Sequence, residues 1–460
     1  MADQQLIYNC PGCGKPTKAP EGALTNQCEY CALVVRIGAP HRILKYFYQS
    51  KIDRYAARMV VDRYLKSKNL PLSSGVVEAQ FYYLPFYRFR GMAMDYIAPP
   101  SEIKEVIEGE VIRVQSKFKL KAKDFDITTP AFSSNKFGLS SLGMRPQSIP
   151  LYAYSQDEIP DDAIIVKSDI SPAEAETKAM NLHKHNVGLY NRGKVLCSAM
   201  IGEQISVIYF PVWAVSYKSS EGVKTTFVDA LAKRGYAQVK DVFKFNDKAS
   251  AEKDIYFIQL MKHQCPNCGA DLEEKHFSLF YPCSNCKRFY ILADDGYKQT
   301  KCLAADTPIC APYWRFPLEF QARKSYKTVK EFYNLLPSEI ALLRKEKGEN
   351  RFYLYNPAFK SSDVNRLVSR AMTVLRTQPH DKLVEKVPAK GPVMSIDEAE
   401  AREMAVFLWN IATFKYPRLR LKEFYLDEEN LPPGEIVWLP MQDTRLIVKS
   451  TTYRQVNVVD

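Results

Sequence analysis

Histidine is scarce in this chain, with six residues among 460, and no pair of carboxylates recurs at the spacing of an acid–base couple. Two of the six, His183 and His185, stand two apart in a predicted helix. That spacing sends them to diverging faces rather than to one metal ion. A catalytic site built on imidazoles or paired acids has no footing here, and no enzyme is expected. Long apolar runs are missing too. The most apolar stretch, Ile205 to Val215, is interrupted by Ser206 and Pro211 and is too short for a membrane-spanning helix. The first five residues carry neither a basic start nor an apolar run, so no export signal is expected and the cytoplasm is the expected location. The glycines of Gly138-Leu139-Ser140-Ser141-Leu142-Gly143 have the spacing of a phosphate loop. Met144-Arg145 follow instead of Lys-Ser or Lys-Thr, so nucleotide chemistry lacks its cation and its magnesium ligand.

What remains is an ordinary folding composition, 46% hydrophobic and 25% charged, in a chain too long for one core. The net charge of +12 favours an acidic partner: a protein, a nucleic acid or an anionic membrane surface. No lipidation motif or amphipathic anchor accompanies it.

Cysteine is the informative residue. Eight of eleven form two quartets with the same internal spacing: Cys10, Cys13, Cys28 and Cys31, then Cys265, Cys268, Cys283 and Cys286. Two CxxC pairs supply four thiolates, which complete a tetrahedral zinc ion and leave no open position for substrate. In a chain without an export signal, such pairs read as metal ligands rather than disulfides. Two structural zinc ions are expected; iron in a redox site is the alternative ion. Cys197, Cys302 and Cys310 stand apart from the quartets and read as buried apolar cysteines. The knuckles Cys-Pro-x-Cys-Gly place Gly14 and Gly269 where a positive φ is needed.

Other landmarks recur in the same order. Leu84-Pro85-Phe86-Tyr87-Arg88-Phe89 matches Ala311-Pro312-Tyr313-Trp314-Arg315-Phe316, and Pro130-Ala131-Phe132 matches Pro357-Ala358-Phe359, both displaced by 227 positions. Ser171-Pro172-Ala173-Glu174 and Ser395-Ile396-Asp397-Glu398 both read as capping boxes that start helices. Tyr209-Phe210-Pro211 and Trp438-Leu439-Pro440 close the series. The quartets are displaced by 255, so the first half carries about 28 extra residues before its proline-aromatic strand, and 41–69 reads as a basic helix. The expected fold is α+β, in two tandem diverged repeats, each a zinc ribbon followed by a mixed strand and helix domain. The expected boundaries are ribbon 1 at 1–38, a basic helical insert at 39–80, the first α+β copy at 81–255, ribbon 2 at 256–295 and the second copy at 296–460. A helix is also expected from Asp363 to Arg376.

Period-two alternation from Arg113 to Lys123 predicts a strand with Arg113, Gln115, Lys117, Lys119, Lys121 and Lys123 on one face. Such a row of cations can neutralise phosphates, or can guard a sheet edge against unwanted pairing. A shorter stripe, Arg418, Arg420 and Lys422, lies late in the second half. The proline-aromatic strands suit core packing better than base stacking.

The cysteine segments resemble zinc ribbons of the rubredoxin-like type over about 25 residues in each half. A proline-aromatic strand beside a ribbon also looks like a pattern of bacterial zinc-ribbon proteins labelled by analogy with helicase or transcription-factor ribbons. That resemblance implies zinc but no activity, and the chain carries no helicase motif. The expectation is a non-enzymatic zinc-binding scaffold or adaptor that engages a macromolecular partner through basic and aromatic surfaces. A nucleic-acid-binding protein using the ribbons and the Arg113–Lys123 stripe is the second reading, and docking on a membrane complex the third. No small-molecule substrate is evident.

Overall fold

The aromatic runs around Pro85 and Pro312 become the central strands of two sheets. The computed structural model describes residues 5–98, 103–107, 110–114, 119–133, 137–143, 145–190, 194–245, 255–321, 325–333, 349–361, 363–379, 383–388, 390–413 and 424–441. Strands dominate and helices are few. The chain divides into two units: residues 1–90, 126–186 and 204–263 form the first, and 91–125, 187–203 and 264–460 the second. Segments 91–125 and 187–203 lie inside the expected first α+β copy by sequence, yet they cluster with the second unit.

The first unit is organised by β1 (Gln5–Asn9), β2 (Pro16–Pro20), β3 (Ile43–Phe47), α1 (Arg54–Ser67), β4 (Gly75–Ala98), β5 (Lys119–Pro130), β6 (Leu151–Ala153), α2 (Pro172–Tyr190), β7 (Lys194–Ser219), β8 (Gly222–Asp229) and β9 (Arg234–Lys240). Its sheet runs from the short strand Ala163–Ile165 through β4–β7–β3–β6–β1–β2, and β5 also pairs with β4. β7 pairs with β3 in parallel, and β3 with β6 antiparallel. β7 also continues into an antiparallel hairpin with β8 and β9. The interior of β4 is closed to solvent: Leu84, Phe86, Tyr87 and Phe89 have no exposed surface. These rings are core, so they offer no base-stacking face. Phe81 stacks on Trp213 at 4.6 Å, and Phe137 sits among Phe132, Phe227 and Phe243. Aromatic clusters of this kind add to their area burial about 0.5–1.5 kcal/mol per pair. Ile205 to Val215 is a central strand segment, which explains its near-continuous hydrophobicity.

The expected helix at 41–69 is shorter. Ile43–Phe47 forms β3, held between β7 and β6, and the helix α1 begins after the Asp53 cap. The sequence Ile-Leu-Lys-Tyr-Phe suits a buried strand, and its context outweighs the helical pattern that follows. The gly-spaced loop at 138–143 carries the buried Leu142 into the core. Thr128 Oγ1 accepts the Leu142 amide at 2.8 Å there.

The second unit contains β10 (Leu303–Ala305), β11 (Cys310–Pro317), β12 (Tyr353–Pro357), α3 (Val364–Thr377), β13 (Leu383–Glu385), α4 (Glu398–Thr413) and β14 (Glu435–Pro440). Its sheet runs β12–β11–β14–β10–β13. β14 and β10 are parallel, and β10 and β13 antiparallel. α3 has its buried positions at Val364, Leu367, Val368, Ala371, Val374 and Leu375, the spacing of an amphipathic helix. Leu367 and Val374 pack on Tyr313, Tyr355 and Val437 of the sheet. Val364, Val368 and Ala371 face Met404, Phe407 and Leu408 of α4, together with Met92, Met94, Ala199 and Ile201. The Met200 amide donates to Glu403 Oε1 at 2.9 Å, so a strand edge is satisfied by the helix.

Matching backbone anchors occur in the two units. The Ala131 amide donates to Pro85 O at 3.0 Å, and the Ala358 amide to Pro312 O at 2.9 Å. The Ala131 carbonyl then accepts the amides of Asp169 and Ile170, and that of Ala358 the amides of Ser395 and Ile396. Tyr87 donates its hydroxyl to Ile170 O, and Trp314 its indole N–H to Ile396 O, both at 2.9 Å. These bonds correct one cap. Ser171 does cap α2, but α4 is capped by Asp397, whose Oδ1 accepts the Glu400 amide at 3.0 Å. Ser395 lies outside the helix and accepts the Lys360 amide.

Candidate metal centres

Each CxxC is a tight turn closed by its own backbone. The Gly14 amide donates to Cys10 O and the Cys10 amide to Lys15 O; Gly269, Cys265 and Ala270 repeat the pattern. Gly14 and Gly269 take φ of 73° and 72°, as their place in the knuckle requires. The second turn of each site uses Ala32 and Lys287 at φ of 57° and 58°, left-handed positions that the sequence did not announce.

These turns bring four sulfurs together in each site, all within 4.8 Å of one another. Cys10 and Cys31 Sγ are 3.7 Å apart, and Cys13 and Cys28 Sγ 3.8 Å. In the second site Cys265 and Cys286 are 3.7 Å apart, and Cys268 and Cys283 3.6 Å. A tetrahedron with metal–sulfur bonds of about 2.3 Å has edges of about 3.8 Å. A disulfide would need about 2.05 Å. The donors therefore fit one four-coordinate ion per site. Soft thiolates suit zinc, and iron as well.

Polar groups surround the sulfurs. The Gly12 amide points at Cys10 Sγ at 3.4 Å, and Thr17 Oγ1 lies 3.4 Å from Cys28 Sγ. The Thr17 hydroxyl, with backbone amides of the knuckle, draws the Cys28 thiol down to about 6. The Arg288 amide leads the groups that draw Cys286 to about 6. Neighbouring sulfurs act the other way on Cys31 and Cys283, raised to about 12 and about 11, so each cluster favours thiolate at one sulfur and thiol at another. Cys302 and Cys310 are buried and Cys197 half-buried, all apart from the quartets. Burial pushes Cys197 up to about 11 and Cys302 up to about 12, which keeps them as thiols.

One ionic cluster escaped the sequence. Arg88, 2% exposed, makes a bidentate contact with Asp126 at 2.9 Å for both bonds, and reaches both oxygens of Glu21 at 2.8 Å. Arg90 also pairs with Glu21. Glu21 sits in the turn after β2, so the cluster ties the ribbon's hairpin to the central strand. Burial works against the Arg88 charge, but Glu21 and Asp126 outweigh it and hold its pKa above the ordinary value. Arg315, at the matching place in β11, pairs only with the half-exposed Glu435 among the described residues.

Of the expected stripe, 113–114 belong to the described strand Glu110–Val114 and 119 onward to β5, while 115–118 lie outside the described residues. Lys119, Lys121 and Lys123 are exposed on β5. The side chain of Arg113 and all of Lys117 lie outside the described residues, as do Arg418, Arg420 and Lys422.

The chain is thus a protein of mixed strands and few helices with two four-cysteine groups. Each can hold a metal ion, and their spacing is compatible with zinc-ribbon-like modules. No protein-family profile, curated protein or solved structure matches the chain.

Proposed function

We propose that this chain is a non-enzymatic zinc-binding scaffold or adaptor, built from two diverged copies of a ribbon plus an α+β domain, that engages a macromolecular partner. The carrying observation is the four-thiolate closure of both centres, in which the protein supplies every ligand of a tetrahedral ion. Zinc is the ion proposed for each, in a structural role. The duplication is supported by the shared strand order, β5–β4–β7–β3–β6 beside β12–β11–β14–β10–β13, and by the paired backbone anchors at Ala131 and Ala358. The extra residues of the first copy then fall between β3 and β4 and include α1. Among the described residues, no helix is long and apolar enough to cross a membrane. The proposed partner is a protein that meets basic surface. With the proline-aromatic strands buried, exposed rings such as Tyr30 and Tyr55 remain to contribute.

The test is native capture of the tagged full chain at moderate salt, with and without nuclease. A protein partner retained after nuclease agrees with an adaptor; loss of all partners together with the ultraviolet-absorbing material refutes it. The exposed Lys119, Lys121 and Lys123 favour a second reading, nucleic-acid binding. On that reading affinity falls steeply with salt and weakens when Lys119 and Lys121 are neutralised.

A further inference from the structure

We infer that a cleft between α1 and the β8–β9 hairpin is a binding site for a ligand bearing clustered phosphate groups. Both walls belong to the first unit. α1 contributes Arg63 and its C-cap Lys68; the hairpin contributes Lys233 from its turn and Arg234 from the start of β9. The cleft has a volume of about 460 Å³, inside the range of about 300–1,000 Å³ typical of ligand sites. No carboxylate lines it.

Four cations gathered around one opening repel each other unless an anion joins them. Elsewhere in this unit Arg54, Arg145 and Lys224 each pair with a carboxylate. Arg63, Lys68, Lys233 and Arg234 are exposed, and none forms an ion pair with a described residue. Charge compensation of the helix end does not account for them. A helix C-terminus carries only about half a negative charge, and Lys66 also stands in the last turn of α1. Tyr236 also lines the cleft, with its ring stacked on Phe227 of the hairpin.

The walls are held in place. A Cβ at Gly235 would meet Tyr64 Cγ at 2.6 Å, so the hairpin backbone lies directly against that ring. Lys233 takes φ of 54°, a conformation that glycine adopts at less cost, yet the position carries a cation. The site has no counterpart in the second sheet, where only residues 306–309 separate β10 from β11 and leave no room for a helix like α1. It is also distinct from the lysines of β5.

Two probes test the site on the full-length protein: inorganic tripolyphosphate by calorimetry, and a short fluorescent single-stranded oligonucleotide by anisotropy. The wild type is expected to bind at least one probe, more weakly as salt rises. Lys233→Gln with Arg234→Gln should weaken that binding about tenfold or more, and so should Arg63→Gln with Lys68→Gln on the opposite wall. Lys298→Gln with Lys301→Gln, two exposed lysines of the second unit, removes the same charge elsewhere and should leave binding nearly unchanged. Tripolyphosphate binding alone identifies a free oligophosphate as the source, whereas tighter oligonucleotide binding displaced by tripolyphosphate identifies a nucleic-acid backbone. Binding of neither probe at low salt, or equal loss in the Lys298→Gln, Lys301→Gln control, overturns the inference. Circular dichroism melting of each variant separates lost binding from lost folding.

Discussion

Arg88 and Arg315 show how one residue type at matching places in two sheets can carry different weight. Arg88 is enclosed and held by two carboxylates, so truncating it leaves Asp126 and part of Glu21 buried without their counter-charge. Arg88→Ala should lower unfolding free energy by about 3–5 kcal/mol. Arg315→Ala, beside the half-exposed Glu435, should lower it by about 1 kcal/mol or less. Urea denaturation of both variants checks the contrast; equal effects would contradict it. The clustered thiols, as the proposed metal ligands, give a pH prediction. Cys28 and Cys286 sit near 6, below the ordinary thiol value near 9, while Cys31 and Cys283 are pushed up to about 12 and about 11, so one thiol of each site favours thiolate at neutral pH and another resists it. A depressed pKa contributes stability that is lost as pH falls through the folded value, and protons then also compete with the metal. Both ions should remain bound at neutral pH and leave as pH drops below about 6, followed with a colorimetric zinc chelator. Retention in strong acid would contradict thiolate ligation.

Among the elements, local signals were legible where the spacing itself dictates chemistry. The CxxC pairs announced both four-sulfur clusters, and the Asp363 start and apolar spacing placed α3 to within one residue. The capping signal at Ser395 was misread by two positions because Ser395 and Asp397 both suit an N-cap, and the Glu400 amide, which donates to Asp397 while Ser395 takes the Lys360 amide, decides between them. Asp397→Ala should destabilise α4 by about 1 kcal/mol, visible as a lower thermal midpoint; no shift would return the cap to another residue. β3 was missed inside a basic stretch because its burial comes from β6 and β7, which are far away in sequence. Arg88 was visible only as one cation in an aromatic run, since its partners lie 67 and 38 positions away. The cleft beside α1 was hidden for the same reason: its cations come from two segments more than a hundred residues apart.

At the scale of the whole molecule, each ribbon is too small to keep a core without its ion. Chelation should therefore raise amide exchange across residues 10–31 and 265–286, while the buried strands around Phe86 and Tyr313 stay protected. Global loss of protection would mean that the ions support the sheets as well. The central claim, two closed four-thiolate zinc sites, is tested most directly by native mass spectrometry of the purified chain. The account predicts two zinc ions per chain, falling to one in Cys13→Ser and to one in Cys268→Ser, with none in the double variant. A chain that carries no metal and shows the mass of paired disulfides, or that keeps both ions after these substitutions, would contradict it.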